Sequence, residues 1–258
     1  MKKYALITGA SGGIGKSFAR QLAQRGYHVI LIARSEAKLQ ALAESIRLIY
    51  NVEAISLPLD LSVDNAAVLI KEWCDKLSIA PAILINNAGY GLWGNFPVLN
   101  LEELVNMHRL NTEAVIRITH ALLPLLGENE RSYILNVSST AAFQAVPTLG
   151  VYAASKAFIL SFSRALRYEL KGTGVSVSCL CPGPTDTGFA KRAGLEALAD
   201  LAQKFNMSPD DVAAAGLKGL FKGKAEIVPG LFNKISAAVV RHAPKKLIER
   251  AAAGLYKP

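Results

Sequence analysis

The sequence predicts an α/β protein in which one doubly wound parallel sheet carries helices on both faces. Three observations lead there. Short apolar runs alternate with stretches of helical spacing along most of the chain. The strand candidates, such as Val29-Ile30-Leu31-Ile32, are almost continuously apolar, as strands covered on both sides must be. A glycine-rich segment falls at the first strand–helix junction.

The elements follow in order. Residues 4–8 read as a strand and 14–25 as a helix, 28–33 as a strand and 36–50 as a helix. Then come a strand over 54–58, a helix over 65–76, a strand over 82–86 and a long helix over 101–126. A strand over 133–138, a helix over 152–170 and a strand over 175–180 complete the alternation. Internal linkers, repeats and low-complexity tracts are missing, so 1–258 is expected to form a single domain. The rhythm breaks once, at 188–206. This amphipathic insertion, ahead of a last strand over 226–228, is expected to act as a substrate lid.

Composition sets limits. A chain of 258 residues, 51% hydrophobic and 19% charged, is large enough for one sizeable core and too apolar for disorder. It holds no run of roughly 18 apolar residues that would span a bilayer. The opening Met1-Lys2-Lys3 faintly resembles a signal peptide, but the apolar run stops after Ile7 and glycines follow, so a cytoplasmic location is expected. The three cysteines, Cys74, Cys179 and Cys181, argue against a disulfide framework. The four histidines are scattered, with none at metal-ligand spacing, so no metal is expected.

The net charge is +9, and its excess is concentrated late. From Lys218 onward, nine basic residues face only Glu226 and Glu249. Within 230–258 the basic residues accompany Leu231, Phe232, Ile235, Val239, Val240, Leu247 and Ile248. The favoured expectation is a packed terminal helix pair with a solvated basic face. The other is contact with an anionic membrane surface or acidic partner. No nucleic-acid-binding motif accompanies the charge, so a nucleic-acid role is not expected.

Thr8-Gly9-Ala10-Ser11-Gly12-Gly13-Ile14-Gly15 lies between the first strand and the first helix. Glycines there let the chain turn tightly, approach a pyrophosphate and pack helix on strand, and the helix N-terminus adds amide donors. An NAD site usually ends its second strand with Asp or Glu. Here Ala33 and Arg34 stand in that region, with Ser35 next. A carboxylate would repel a 2′-phosphate and a guanidinium attracts it, so NADP(H) is favoured over NAD(H).

Tyr152 and Lys156, at i and i+4, share one helix face. A free tyrosine has a pKa of about 10 and exchanges protons poorly at neutral pH. A neighbouring ammonium lowers it and makes the phenol a usable acid or base. Asn136-Val137-Ser138-Ser139 ends a strand where a parallel sheet exposes its ligand crevice, and a hydroxyl there suits a substrate oxygen. Asn111, a poor helix-interior residue, has either a local hydrogen-bonding duty or a solvent-facing place.

Together these segments resemble the short-chain dehydrogenase/reductase family along nearly the whole chain. The family's Thr-Gly-x3-Gly-x-Gly matches Thr8, Gly9, Gly13 and Gly15, and its Asn-Asn-Ala-Gly matches Asn86 through Gly89. Its serine, thirteen residues before the tyrosine, falls on Ser139 rather than Ser138, and its Tyr-x3-Lys on Tyr152 and Lys156. Its helix asparagine matches Asn111, its Pro-Gly segment the stretch Pro182 through Thr187, and its adenine-side acid Asp60. The resemblance implies a Rossmann-type fold and hydride exchange between a nicotinamide cofactor and a carbonyl or alcohol. It implies Tyr152 as acid/base, Lys156 as its activator and ribose ligand, Ser139 as orienter of the substrate oxygen, and Asn111 as holder of a relay water. Cofactor contacts are implied for Gly9, Ser11, Gly13, Ile14, Gly15, Arg34, Asp60, Asn87, Ala88, Gly89, Pro182, Gly183, Thr185 and Thr187, besides Tyr152 and Lys156. For Asn86 and Asn87, strand bridging and direct cofactor contact stand side by side. One departure is Gly12, where many NADP-preferring members carry a basic residue. The stretches 86–96 and 226–230 look like those of a broad bacterial subgroup of uncertain substrate.

On the substrate side the expected residues are Tyr90, Trp93, Phe143 and Phe189, supported by Leu92, Phe96, Ala145 and Val146 and, in the insertion, Leu195, Leu198, Leu201 and Phe205. Such walls suit an apolar ketone, aldehyde or secondary alcohol. Family analogy also implies a homodimer or homotetramer through the helices over 101–126 and 152–170. The rival class is a cofactor-binding regulatory or scaffold protein that kept the fold and lost turnover.

Overall fold

The computed structural model describes residues 2–194 and 206–255. Their centre is a seven-stranded parallel sheet in the order β3-β2-β1-β4-β5-β6-β7. The strands are β1 (Tyr4–Thr8), β2 (His28–Ala33), β3 (Ala54–Pro58), β4 (Pro81–Asn86), β5 (Ser132–Val137), β6 (Val175–Leu180) and β7 (Glu226–Ile227). Strand residues alternate between two cores. Ala5, Ile7, Val29 and Leu31 face helices α1 (Gly13–Gln24), α2 (Glu36–Tyr50) and α8 (Pro209–Phe221), where Phe18, Leu22, Leu39 and Leu217 are buried. Leu6, Ile30, Ile32 and Leu84 face the other way, onto α3 (Ala66–Lys76), α5 (Ala114–Gly127) and α6 (Gly150–Glu169), through Ile70, Ile118, Leu122 and Leu166. Continuous apolar strands are the consequence of this two-sided cover.

Three details position the site. The chain reverses its direction of winding between β1 and β4, and the carboxyl ends of adjacent strands diverge there into a crevice. Helix α1 begins after Gly12 without any side-chain cap, leaving its first amides free to meet a ligand. The expected continuous helix over 101–126 is instead α4 (Leu101–His108), a π-turn (Arg109–Glu113) and α5. The extra residue in that turn holds Asn111 inward; π-turns of this kind mark functional sites.

The remaining boundaries depart from expectation by one or two residues. The final strand is two residues long. In the insertion, α7 (Phe189–Ala193) is described, whereas Leu195, Leu198, Leu201 and Phe205 lie outside the described residues. The basic segment forms α9 (Leu231–His242) and α10 (Lys245–Leu255). Among the described residues no helix is long and apolar enough to cross a membrane, and no acidic, histidine and cysteine cluster has the makings of a metal site.

Candidate active site

A crevice of ≈ 990 Å³ runs along the carboxyl ends of the central strands. One end is walled by Gly9, Ser11, Gly13 and Ile14, with Arg34, Ser35, Lys38 and Asp60; the other holds Ser139, Tyr152, Lys156 and Phe189. The glycine loop is shaped by close approach. Gly9 and Gly13 adopt φ of 66° and 50°, where a side chain is strained. A Cβ at Gly15 would collide with the carbonyl oxygen of Gly9. Gly15 therefore packs helix against loop and, unlike Gly9 and Gly13, does not border the crevice.

Thr8 and Asn87 tie this loop to the end of β4. The Thr8 hydroxyl accepts from the amides of Asn87 and Ala88 at 2.9 and 3.0 Å, and Asn87 Nδ2 donates to Thr8 O at 3.0 Å. Asn86 instead bridges the sheet interior: its Nδ2 donates to Asn136 Oδ1 at 2.8 Å and to Thr119 Oγ1 at 3.0 Å. The two asparagines thus divide the alternatives between them. Asn86 is structural, and Asn87 both braces the loop and borders the crevice.

The two neighbouring serines also separate. Ser138 is buried and donates to the carbonyl of Lys156 at 2.7 Å, pinning α6 to β5. Ser139 borders the crevice and accepts from the amide of Ala141 at 3.1 Å. Tyr152 and Lys156 are both buried on the crevice face of α6, with the ammonium 5.8 Å from the tyrosine ring centroid. Lys156 donates to Val137 O at 3.1 Å. Burial lowers its pKa from 10.5 to about 8, with Cys179 and Cys181 acting weakly in the opposite sense. Those two thiols lie 3.9 Å apart and are unbridged.

Asn111 does not border the crevice. It sits behind Gly89, where a Cβ would fall 2.8 Å from its Oδ1 and 3.3 Å from Lys156 Nζ. Glycine at 89 is what lets the asparagine and the lysine approach. At the Arg34 end of the crevice, burial pushes the Asp60 carboxyl up, but bonds from the Ser62 amide and hydroxyl, with the charges of Arg34 and Arg192, bring it below its ordinary value.

Of the expected substrate residues, Tyr90, Phe143 and Phe189 border the crevice. Phe189 lies 5.3 Å from the ring of Tyr152. Trp93 does not border it; its amide donates to Ala193 O at 2.9 Å and fastens α7 across the opening. Thr187 fastens the other side, meeting Gly13 so closely that a Cβ there would lie 3.0 Å away. Sequence reasoning missed two contributors. Arg192 reaches back from α7 to lie 4.0 Å over the Tyr90 ring, and partial desolvation and the charge of Arg34 lower its pKa. Asn233 of α9 packs against Gly183 and donates to Pro229 O at 2.9 Å, bracing the Pro182–Gly183 segment. Neither carries a local signal: one is a lone cation in an insertion, the other a lone amide on a terminal helix.

Comparison with known proteins accords with this architecture. The chain is 35% identical over 193 residues to the very-long-chain 3-oxoacyl-CoA reductase of Rattus norvegicus, covering 73% of this chain and 61% of that protein. It thus spans about three-fifths of the length of that relative. Among solved structures, a short-chain dehydrogenase from Sphingobium yanoikuyae in complex with NADPH superposes with a TM-score of 0.82 at 30% identity, covering 92% of this chain and 93% of the other. A short-chain dehydrogenase/reductase from Burkholderia phymatum in complex with NAD gives 0.81 at 25% identity, covering 92% of each chain. Residues 3–198 match the family described as short chain dehydrogenase, and the chain belongs to the short-chain dehydrogenase/reductase family.

Proposed function

We propose that this chain is an NADP(H)-dependent oxidoreductase that interconverts a carbonyl and a secondary alcohol on an apolar substrate, with Tyr152 as acid and base. The observation that carries the reading is the buried Tyr152–Lys156 pair, at one end of a crevice whose other end presents Arg34.

The residues fit a dinucleotide. A Cβ at Gly12 would meet only open space, the first turn of α1 offers uncapped amides, and one crevice is lined both by the glycine loop and by Tyr152 and Lys156. Gly9, Ser11, Gly13 and Ile14 would hold the phosphates, and Asp60, Ala88 and Gly89 the adenosine side. Lys156, Pro182, Gly183, Thr185 and Thr187 would hold the nicotinamide half. Arg34, Ser35 and Lys38 at the end of β2 favour a 2′-phosphate, since the residue directly after Ala33 is a cation where an NAD site usually carries Asp or Glu. When bound, the nicotinamide supplies or accepts the hydride.

The chain's own residues handle the proton. In the reducing direction the Tyr152 hydroxyl delivers its proton to the substrate oxygen while hydride adds to the carbonyl carbon; in oxidation the phenolate takes the proton back. The Lys156 ammonium stabilises that phenolate. Ser139 donates to the substrate oxygen and fixes its position. Asn111, behind Gly89, holds the segment that borders Lys156. Phe143, Val146, Leu149 and Phe189 give the substrate end an apolar wall, which excludes water as well as selecting the substrate. The fastened α7 supports a lid role for the start of 188–206. Exposed Val105, Ile116 and Phe158 on α4, α5 and α6 support self-association through those helices.

The deciding experiment is a cofactor-consumption screen of the purified protein. Carbonyl compounds from alkyl and cyclic ketones to sugars are offered with NADPH and, in parallel, NADH. NADPH oxidation with apolar ketones is expected. Turnover confined to polar substrates overturns the substrate class, and a preference for NADH overturns the cofactor. Intact Ser139, Tyr152 and Lys156 speak against the scaffold alternative, which predicts cofactor binding without turnover of any carbonyl.

A further inference from the structure

Helix α9 is built inside out. At 100° per residue, Leu231, Ile235 and Val239 form one stripe, because side chains at i, i+4 and i+8 stack along a helix face. On an ordinary amphipathic helix that stripe would be the buried one. Here Asn233 and Ala237, on the opposite face, are buried, and the apolar stripe points outward. Leu231 is 74% exposed, Ile235 56% and Val239 57%. The terminal helices do pack, through Asn233, Ala237 and Ala252, and their cations are solvated, but the stripe of Leu231, Ile235 and Val239 is not the packed face.

The segment that carries the stripe is cationic. Lys234 flanks it on α9, and Lys245, Lys246 and Arg250 follow on α10, with Glu249 the single carboxylate in the two helices. Among the described residues none of these four cations takes part in an ion pair. Arg241 differs, being paired with Glu226 and lying 4.2 Å over the ring of Phe143. A second copy laid on the stripe would bring like charges together in a chain that already carries +9. An anionic surface meets both features at once, burying the apolar stripe and neutralising the unpaired cations.

We infer that the outward face of α9, with the basic start of α10, docks this protein onto an anionic phospholipid surface. The inner face of the same helix adds a consequence. Asn233, Ser236, Ala237 and Val240 border the crevice. Docking through the outer face therefore brings one wall of the substrate end to the lipid boundary, where an apolar substrate is concentrated. That consequence rests on the proposed substrate class; the docking itself does not.

The test is co-sedimentation of the full chain with phosphatidylcholine vesicles, with and without phosphatidylserine, beside light scattering of the protein alone. Sedimentation only with phosphatidylserine is expected. It should weaken in about 1 M salt, where screening shortens the Debye length to about 3 Å. Ile235→Asp with Val239→Asp, and separately Lys234→Glu with Lys245→Glu and Lys246→Glu, should each lower the bound fraction at least about tenfold, since both apolar burial and lipid charge contribute. All these positions are exposed, so the variants should keep the far-ultraviolet spectrum and the NADPH affinity of the parent. Failure of the parent to sediment with phosphatidylserine overturns the inference. So does retention of binding in the aspartate variant. If that variant instead breaks an oligomer of the parent, the stripe is covered by a second copy and the lipid assignment is wrong. Vesicle binding is read without substrate, so its failure stays distinct from failure of the carbonyl screen.

Discussion

Asn111 holds the backbone of Tyr90 at both ends of its amide: Tyr90 N donates to Asn111 Oδ1 at 3.1 Å, and Asn111 Nδ2 donates to Tyr90 O at 2.9 Å. The same Nδ2 reaches Ser155 Oγ at 3.1 Å, so one buried side chain joins the loop after β4 to the helix that carries Tyr152 and Lys156. The π-turn exists at the point where this side chain must face inward. Replacing Asn111 with Leu leaves the Tyr90 amide and carbonyl buried without partners. Each such orphan costs about 1–3 kcal/mol. A fall in unfolding free energy of about 2 kcal/mol or more is expected, together with weaker cofactor binding because Ala88 and Gly89 lose their anchor. Denaturant titration and cofactor fluorescence measure the two effects; wild-type values in both would leave the clasp without importance.

Tyr152→Phe removes the hydroxyl and keeps the ring that packs on Phe189. Turnover should drop by about 10²–10⁴, the usual contribution of a positioned acid or base, with cofactor affinity within a factor of about two. Single-turnover rates beside equilibrium titration separate these quantities. An unchanged rate removes Tyr152 from the mechanism. Ser139→Ala should lower kcat less, because the phenol still reaches the substrate oxygen.

How much of this was legible beforehand follows from where each signal resides. Val29 to Ile32 declared a two-sided strand because burial on both faces leaves its trace in four consecutive side chains. Tyr152 and Lys156 were legible because helical spacing makes them neighbours whatever surrounds them. The π-turn was not, since residues 101–126 keep a helical apolar rhythm through the inserted residue. Arg192 was not, because its neighbours Tyr90, Arg34 and Asp60 come from other strand ends and only the crossing of α7 over the crevice assembles them. For the terminal stripe of Leu231, Ile235 and Val239 the sequence left both packing and contact with an anionic surface open, and the stripe faces outward. Periodicity tells which residues share a face, and cannot tell whether that face turns to the core.

The crossing of α7 bears on cofactor choice. Arg34 and Arg192 both act on Asp60, and Arg34 lowers the pKa of Arg192, so two like charges share one end of the crevice. An anion between them relieves that repulsion. Arg34→Ala should raise the Kd for NADPH about 10–100-fold, the worth of one charge-assisted hydrogen-bonded pair, and leave NADH nearly unchanged. Arg192→Ala should weaken NADPH more than NADH, by a smaller factor. Equal losses for the two cofactors would place Arg192 away from the 2′-phosphate.

The buried lysine gives a pH signature with a definite sign. Burial lowers the Lys156 pKa from 10.5 to about 8. Between these values the folded chain binds fewer protons at this site than the unfolded chain, so this site makes stability rise with pH there. Below about 8 the cost of burying the charge is fully present, and above 10.5 it is gone. Lys156→Met removes the titration. The melting temperature of the wild type relative to this variant should therefore climb from about pH 8 upward. Cofactor affinity should move the other way in the same window, because the ammonium that attracts the ligand is being lost as pH rises. The Met variant should bind more weakly at pH 7 and lack that alkaline fall. A flat difference in melting temperature, with no alkaline fall in wild-type affinity, would mean that Lys156 keeps an ordinary lysine pKa and stays charged throughout.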